Sequence, residues 1–423
     1  MKTYRFIGVI VLLITKIIFS QDVEYAHYLV RMLCSHAMAG RGYTNHEIDT
    51  AAQFIAAEFQ KNGILPLIKD GYFQPFSYKV NVFPKASLQI DGQKLIPGYD
   101  FVVSPLSPGL QGRFKALWYV PKDTTFKFPK RIKSHFVVIP AYALKKEVKD
   151  KLYKIYRPLL EKSQGIIVLD TVGFIGHVAM YEPMYAHPLI KLSPSVVKSI
   201  IRQKEKIHNI EINLTSVYTT YEAKNVIGYV QGREYPDSFI IVSAHYDHLG
   251  RLDTAAFRGA NDNASGVAMM MDLAKTIKNN SFRPKYSVIF IAFAGEEVGL
   301  KGSFYFVNNS PIELSRIKFV MNLDMVGTGS DGIGVVNSTA YPTYSKLLTD
   351  INEKNHYLQN IKLRGESNNS DHAPFHLKKI PSFFIHTMGP EHPYYHQVQD
   401  RPDLPFTAYK EVFSLVLDFI YAL

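Results

Sequence analysis

The 423-residue chain has a single cysteine, no block of five or six like charges, and no apolar stretch long enough to cross a bilayer. One thiol, Cys34, cannot build an intrachain disulfide framework, so stability must come from packing or bound metal, and Cys34 reads as a free structural thiol. With no charge block and no aromatic-basic RNA motif, the formal charge of +11 reads as a moderately basic solvated surface and not as a nucleic-acid interface. Three of the bases, Lys2, Arg5 and Lys16, fall in the first twenty residues, which hold no acid; without that segment 45 bases face 37 acids. What is present in quantity is apolar: 47% hydrophobic against 20% charged residues excludes a disordered chain or a collagen-like repeat. The length is a prior for two or three domains with a sizeable core.

Residues 1–20 have the form of an export signal, with a basic start, an apolar run from Phe6 to Ile14, and Ser20 before Gln21. The run is shorter than the roughly 18 apolar residues that a membrane span needs. Lys16 interrupts the stretch, which leaves an uncleaved tether as the lesser alternative. The mature protein is expected outside the cytoplasm, periplasmic or secreted, with membrane contact only through this segment if it is retained.

Past the signal, Ala26, Leu29, Val30 and Leu33 lie at the spacing of one helical face. Thr44 and Glu47 form a capping box for a second helix with the stripe Ile48, Ala52, Ile55 and Phe59, and Gly63 offers its stop. Between the two lies the loop Gly40-Arg41-Gly42. Residues 21–82 are read as the first part of the main domain. From 83 to 219 short β-branched and aromatic runs predict an inserted β-rich domain: a hairpin at Asp91-Gly92, then strands at Phe136 to Ile139, Gly165 to Leu169 and Ile210 to Val217. No catalytic constellation falls there, and its functional reading would be a substrate lid.

From residue 220 onward strands and helices alternate, predicting an α/β fold: a mostly parallel, doubly wound sheet with helices on both faces. Phe239 to Ser243, Val288 to Phe293, Phe319 to Leu323 and Ser382 to Ile385 are buried-type strands. The stripe from Tyr409 to Leu423 and the run Met269 to Met271 read as core. Polar residues gather where the strands end: His245 and Asp247 after the first, Glu296 and Glu297 after the second, Asp324 after the third, His396 after the fourth. Asp262 stands at the mouth of a helix. Open α/β sheets bind ligands at the carboxyl ends of their strands, so these residues are expected to converge. Two imidazoles with several carboxylates and no thiolate suit zinc, with manganese or cobalt as alternatives. Five such ligands exceed the three that one catalytic zinc takes, but a shared carboxylate lets them hold two ions. Two ions about 3.5 to 4 Å apart can activate a bridging water and polarise a carbonyl.

These residues sit in Ser243-Ala244-His245-Tyr246-Asp247-His248-Leu249-Gly250, Gly259 to Ala264, Phe293-Ala294-Gly295-Glu296-Glu297, Asn322-Leu323-Asp324-Met325-Val326-Gly327, Ser370-Asp371-His372-Ala373-Pro374-Phe375, and Tyr395-His396 with Asp400. In them the chain resembles the zinc aminopeptidase family that also includes glutamate carboxypeptidase II, the transferrin receptors and the glutaminyl cyclases. The resemblance runs from about residue 225 to the C-terminus and, more loosely, over 24–76. It implies a zinc-peptidase/phosphorylase-like fold, and an insert that looks loosely like the protease-associated domains of some members. It also implies that His245 and Asp324 bind one zinc, Glu297 and His396 a second, and that Asp262 bridges them. Glu296 becomes the general base acting on the bridging water, and Asp247 orients His245 through its other ring nitrogen. His248, His372, His386 and His392 match no family ligand position and are expected around the site. Asp371 matches an acid of the catalytic hydrogen-bond network in the cyclases. Asn263-Ala264-Ser265 fits a glycosylation sequon, yet a glycan beside a bridging ligand would block the site.

The function so implied is an exported di-zinc aminopeptidase acting on N-terminal residues of peptides, with no nucleic acid as partner and a membrane only through an uncleaved N-terminal segment. The alternatives are a glutaminyl-peptide cyclotransferase with a single zinc and a metal-stabilised binding module without turnover.

Overall fold

Apolar spacing decides the first two helices. In the computed structural model, which describes residues 21–123, 127–128, 131–171, 176, 184–203 and 206–423, helix α1 (Val23–Leu33) buries Ala26, Leu29, Val30 and Leu33. Helix α2 (Glu47–Lys61) buries Ile48, Ala52, Ile55 and Phe59, and the chain leaves it through Gly63 at φ +68°. The expected capping box is not the one that forms. The helix starts at Glu47 after His46, and the buried Glu47 carboxylate accepts from the backbone N–H of Asn45 at 2.8 Å and from Arg251 Nε at 3.0 Å. A long-range arginine outbids the local Thr44 exchange. The export signal, residues 1–20, lies outside the described residues. Among the described residues no helix is long and apolar enough to cross a membrane.

Strand β1 (Phe73–Ile90) turns at Asp91-Gly92, both at positive φ, into β2 (Gln93–Leu95), the tight hairpin its Asp-Gly pair predicts. The insert then contributes β3 (Leu110–Trp118), β4 (His135–Pro140), helix α3 (Tyr153–Leu160), β5 (Gly165–Leu169), β6 (Leu189–Leu192) and helix α4 (Pro194–Gln203). Strands β3 to β6 pair side by side in parallel. Val137, Ile139, Ile155, Leu159, Ile166 and Val168 give this unit a small core of its own. The insert is thus rich in strands, as expected, and also carries helices packed on them. Strand β7 (Asn209–Val230) returns beside β1 in one antiparallel ribbon, from Ile90↔Ile210 to Phe73↔Val226, with an offset between Val82 and Lys85. The limits read from sequence at 82/83 and 219/220 fall inside these two strands.

The main sheet follows. Its elements are β8 (Tyr235–His245), α5 (Ser265–Asn279), β9 (Tyr286–Phe293), α6 (Lys301–Asn308), β10 (Ile317–Leu323), β11 (Ile333–Val336), α7 (Pro342–Asn355), β12 (Ile361–Leu363), β13 (Ser382–Thr387) and α8 (Tyr409–Ala422). Spatial order is β7-β9-β8-β10-β13-β11-β12. The β9-β8-β10-β13 centre is parallel, while β7 and β11 join it antiparallel. Alternate residues of β8 serve opposite faces: Ile240 and Val242 pack with Met270, Phe413 and Val416, and Phe239 and Ile241 with Phe306, Val307 and Phe375. Burial on both faces explains why these strands read as mostly apolar runs. It also leaves the carboxyl ends of β8, β9 and β10 side by side, which is where the polar residues lie.

Candidate metal centre

His245 is the last residue of β8, Asp324 follows β10, and Glu296 and Glu297 lie in the turn after β9, entered through Gly295 at φ +72°. Asp262 sits in the tight turn Ala260–Ala264 that opens α5, and His396 lies in the loop after β13. The structure brings all five expected ligands together. His245 Nε2 is 3.3 Å from Asp262 Oδ1 and 3.4 Å from Asp324 Oδ1. On the other side, His396 Nε2 is 3.0 Å from Asp262 Oδ2 and 3.1 Å from Glu297 Oε2. Asp262 therefore turns one oxygen to each half. Two donor groups result, each with its atoms within 4.8 Å of one another: His245, Asp262 and Asp324, and His248, Asp262, Glu297 and His396.

The backbone prepares both imidazoles for metal. His245 Nδ1 lies 3.1 Å from the carbonyl of Asp247, and His396 Nδ1 lies 3.0 Å from the carbonyl of Gly176. A ring nitrogen that donates to a carbonyl leaves Nε2 with its lone pair toward the other donors, the arrangement of a metal-binding histidine. Gly176 belongs to the insert, so the insert helps to hold His396. Charge agrees with this geometry. Asp247, Asp262, Glu296, Glu297, Asp324 and Asp371 crowd around three imidazoles, and among the described residues no lysine or arginine forms an ion pair with any of them. Burial opposes charge on His396, yet Glu297 and Asp262 hold its pKa up at about 11. The pocket is built to retain positive charge. Burial, together with Glu297 and Asp371, pushes Glu296 well above the usual carboxylate range. Burial also raises Asp371 to about 7 and Asp247 to about 6. Buried carboxylates facing two imidazoles, with no thiolate, fit a pair of zinc ions.

Several contacts refine the expected roles. Asp247 reaches His245 Nδ1 with its carbonyl, while its carboxylate stands 3.8 Å off. That carboxylate is engaged elsewhere, accepting the backbone N–H groups of Glu296 at 3.1 Å and Glu297 at 3.3 Å. It therefore ties the loop after β8 to the loop after β9. His248 is closer to the centre than its mismatch to the family ligand positions implied: its Nδ1 lies 2.6 Å from Glu297 Oε1, which leaves Oε2 for His396. The second histidine of the His245–His248 segment was the signal for it. Asp371 Oδ1 accepts the Ser303 hydroxyl at 2.5 Å. His372 gives its Nε2 to the Ser367 carbonyl, and His392 its Nε2 to Asp400. Asn263 is fully buried and bonds Leu323, Gly266 and Met325, which rules out a glycan on it.

Other residues of the site were given no role by the sequence. Ser370 donates to Asp324 Oδ2 at 2.6 Å and accepts from Asn322, whose carbonyl oxygen accepts from Ser243. Asp400 accepts the backbone N–H groups of Asn261 and Asp262. Arg41 is wholly buried and gives its guanidinium to the carbonyls of Leu33, Tyr246, Arg258, Gly259 and Asp262, so it fastens α1 to the loops bearing His245 and Asp262. Its neighbours must be glycines: a Cβ on Gly40 would stand 2.3 Å from the Gly250 carbonyl oxygen, and one on Gly42 2.3 Å from Gly250 Cα. The donors open into a cavity of about 530 Å³ bounded also by Met325, Val336, Arg364, Phe384, His386 and Tyr395. Tyr395 stacks on His396 at 3.8 Å between ring centroids.

The donor residues of this site fall within the span over which the chain matches known proteins. Residues 225–420 match the family model described as Peptidase family M28. Aminopeptidase YwaD of Bacillus subtilis is 30% identical over 224 residues, covering 50% of this chain and 46% of that protein. A glutamate carboxypeptidase 2 homolog of Caenorhabditis elegans is 28% identical over 269 residues, covering 55% of this chain and 31% of that one. The chain thus spans less than half the length of these curated relatives. Among solved structures, a Peptidase M28 precursor from Shewanella amazonensis superposes with a TM-score of 0.71 at 17% identity, over 94% of this chain and 92% of that one. A zinc aminopeptidase from Bacillus subtilis superposes with a TM-score of 0.68 at 20% identity, over 95% and 94%. At such identities the likeness is one of fold, and it extends through the insert.

Proposed function

We propose that the chain, whose residues 225–420 match the model of peptidase family M28, is a zinc-dependent exopeptidase that releases N-terminal residues from peptides. One observation carries the reading: two donor groups meet at Asp262, and Glu296 lines the same cavity without belonging to either. His245 and Asp324 would hold one ion, His396 and Glu297 the other, and Asp262 both. When bound, such a pair supplies Lewis acidity to a scissile carbonyl and acidity to water. The protein's own part is proton handling and placement. Glu296, partly buried and held by its backbone to Asp247, takes a proton from the attacking water and returns it to the leaving amine. Asp247 fixes the backbone of both glutamates, and Ser370 fixes Asp324. The carboxylates around the centre attract the ammonium of a peptide's free amino end.

The cyclotransferase alternative uses a single zinc, whereas two donor groups sharing one aspartate favour two. Export rests on the composition of residues 1–20, and the division at 82/83 and 219/220 remains part of the proposal. The test is hydrolysis of aminoacyl p-nitroanilides by the zinc-loaded chain. Turnover abolished by chelation and restored by zinc supports the reading; turnover indifferent to chelation, or none despite full metal loading, defeats it.

A further inference from the structure

We propose that Arg364 makes this cavity selective for peptides bearing a carboxylate next to the scissile bond; the inference rests on the exopeptidase reading and names its substrate class. Arg364 follows β12 and lines the cavity that holds His245, Asp262, Glu296, Asp324 and His396. Its backbone is pinned on both sides, the N–H to the Val335 carbonyl at 2.9 Å and the carbonyl to the Ser338 hydroxyl at 3.1 Å. Its Nη1 lies 3.1 Å from His386 Nε2. His386 Nδ1 lies 3.2 Å from the Thr387 carbonyl, so the ring donates there and accepts from Arg364 at Nε2. Burial lowers the His386 pKa, and Arg364 adds to the effect, which keeps the imidazole neutral and able to accept.

The seat for this pair is built into β11. A Cβ on Gly334 would stand 2.3 Å from His386 Nε2, so the missing side chain leaves room for the imidazole. Among the described residues the guanidinium has no acid of its own. Among the described residues no carboxylate lies within 4.0 Å of it, and Glu366, two residues on, turns to His376 Nε2 at 3.1 Å. A planar guanidinium with one of five donors used, steadied by a neutral imidazole, is a receptor for a carboxylate. The cavity is therefore dipolar. The acidic cluster draws an ammonium and Arg364 draws a carboxylate, so the fitting substrate has both within one residue's reach of the cleaved bond. Two sources supply that carboxylate: the side chain of a terminal Asp or Glu, or the α-carboxylate of a dipeptide.

The experiment uses the zinc-loaded full chain and Arg364→Gln in two matched pairs. Glutamyl against leucyl p-nitroanilide reads a side-chain carboxylate, and Leu-Ala against Leu-Ala-amide reads an α-carboxylate. Calorimetric binding of L-glutamate against L-glutamine to the same proteins gives a readout that needs no turnover. Loss of a charge-assisted bond predicts that wild type favours the carboxylate member of at least one pair by about tenfold or more, and that Arg364→Gln brings this ratio near one. His386→Leu, which removes the acceptor that steadies Arg364, is expected to lower the ratio in part through KM. No preference in wild type, or a preference that Arg364→Gln leaves intact, overturns the inference. Preference for glutamate in binding without turnover of any substrate would keep the carboxylate site and sink the exopeptidase reading. Turnover of leucyl substrates with no preference in any pair would do the reverse.

Discussion

Glu296 and Glu297 are adjacent, yet their surroundings predict opposite consequences for the same change. Both oxygens of Glu297 are occupied, Oε1 by His248 at 2.6 Å and Oε2 by His396 at 3.1 Å, and it belongs to a donor group. Glu296 lines the cavity, belongs to neither donor group, and is held through its backbone by Asp247. Glu296→Gln keeps the shape and removes the proton carrier. A positioned general base contributes about 10²- to 10⁴-fold, so kcat should fall by that factor, a barrier increase of roughly 3 to 5.5 kcal/mol, with zinc content unchanged. Glu297→Gln should instead loosen zinc by more than the roughly 10- to 100-fold that loss of an outer hydrogen-bond partner costs, and excess zinc should restore part of the activity. The assay is kcat and KM on a leucyl substrate beside zinc per chain after dialysis against a graded chelator. The assignment fails if Glu296→Gln loses metal in step with activity, or if Glu297→Gln keeps both ions at wild-type affinity.

Three further outcomes follow from contacts around the centre. Arg41→Met removes the donor to five carbonyls, and the orphaned buried acceptors should cost about 3 to 5 kcal/mol in denaturant unfolding of the zinc-free chain; a loss below about 1 kcal/mol would mean that water replaces the guanidinium. Ser370→Ala frees Asp324 Oδ2 and should weaken one zinc by about 10- to 100-fold in chelator competition, with the other unaffected; equal weakening of both would show that the halves are not separable. Asp272, on α5 and bonded by Tyr409 of α8, has its pKa raised by burial to about 6, although Asp22 and Tyr409 donate to it. A carboxyl raised on folding contributes stability below its unfolded value near 3.8 that is lost as pH rises through about 6. At most about 3 kcal/mol is involved, and the difference in stability between wild type and Asp272→Asn should change across that window and be flat above pH 7.

Much of the centre was legible because its residues end or follow buried strands. Phe239–Val242 and Phe319–Met321 are apolar without interruption, so His245 and Asp324 a few residues beyond them mark the same edge of a parallel sheet. What stayed hidden is held by contacts that local sequence does not encode. Arg41 meets Tyr246 across 205 positions, and nothing in Gly40-Arg41-Gly42 says which carbonyls it serves. Glu47 reads as a capping-box partner of Thr44 until Arg251, 204 residues away, claims it. Asp247 orients His245 with a backbone atom, and a side-chain pattern cannot distinguish the two. Strands β1 and β7 each run on through the limits at 82/83 and 219/220, held by pairing to one another across more than 100 positions, which local hydropathy does not encode.

The most direct measurement of the central claim is anomalous diffraction at the zinc edge from crystals of the zinc-loaded chain. The account predicts two peaks about 3.5 to 4 Å apart, one against His245 and Asp324 and one against His396 and Glu297, with an oxygen of Asp262 on each. A single peak, or two peaks of which either lacks Asp262, would contradict it.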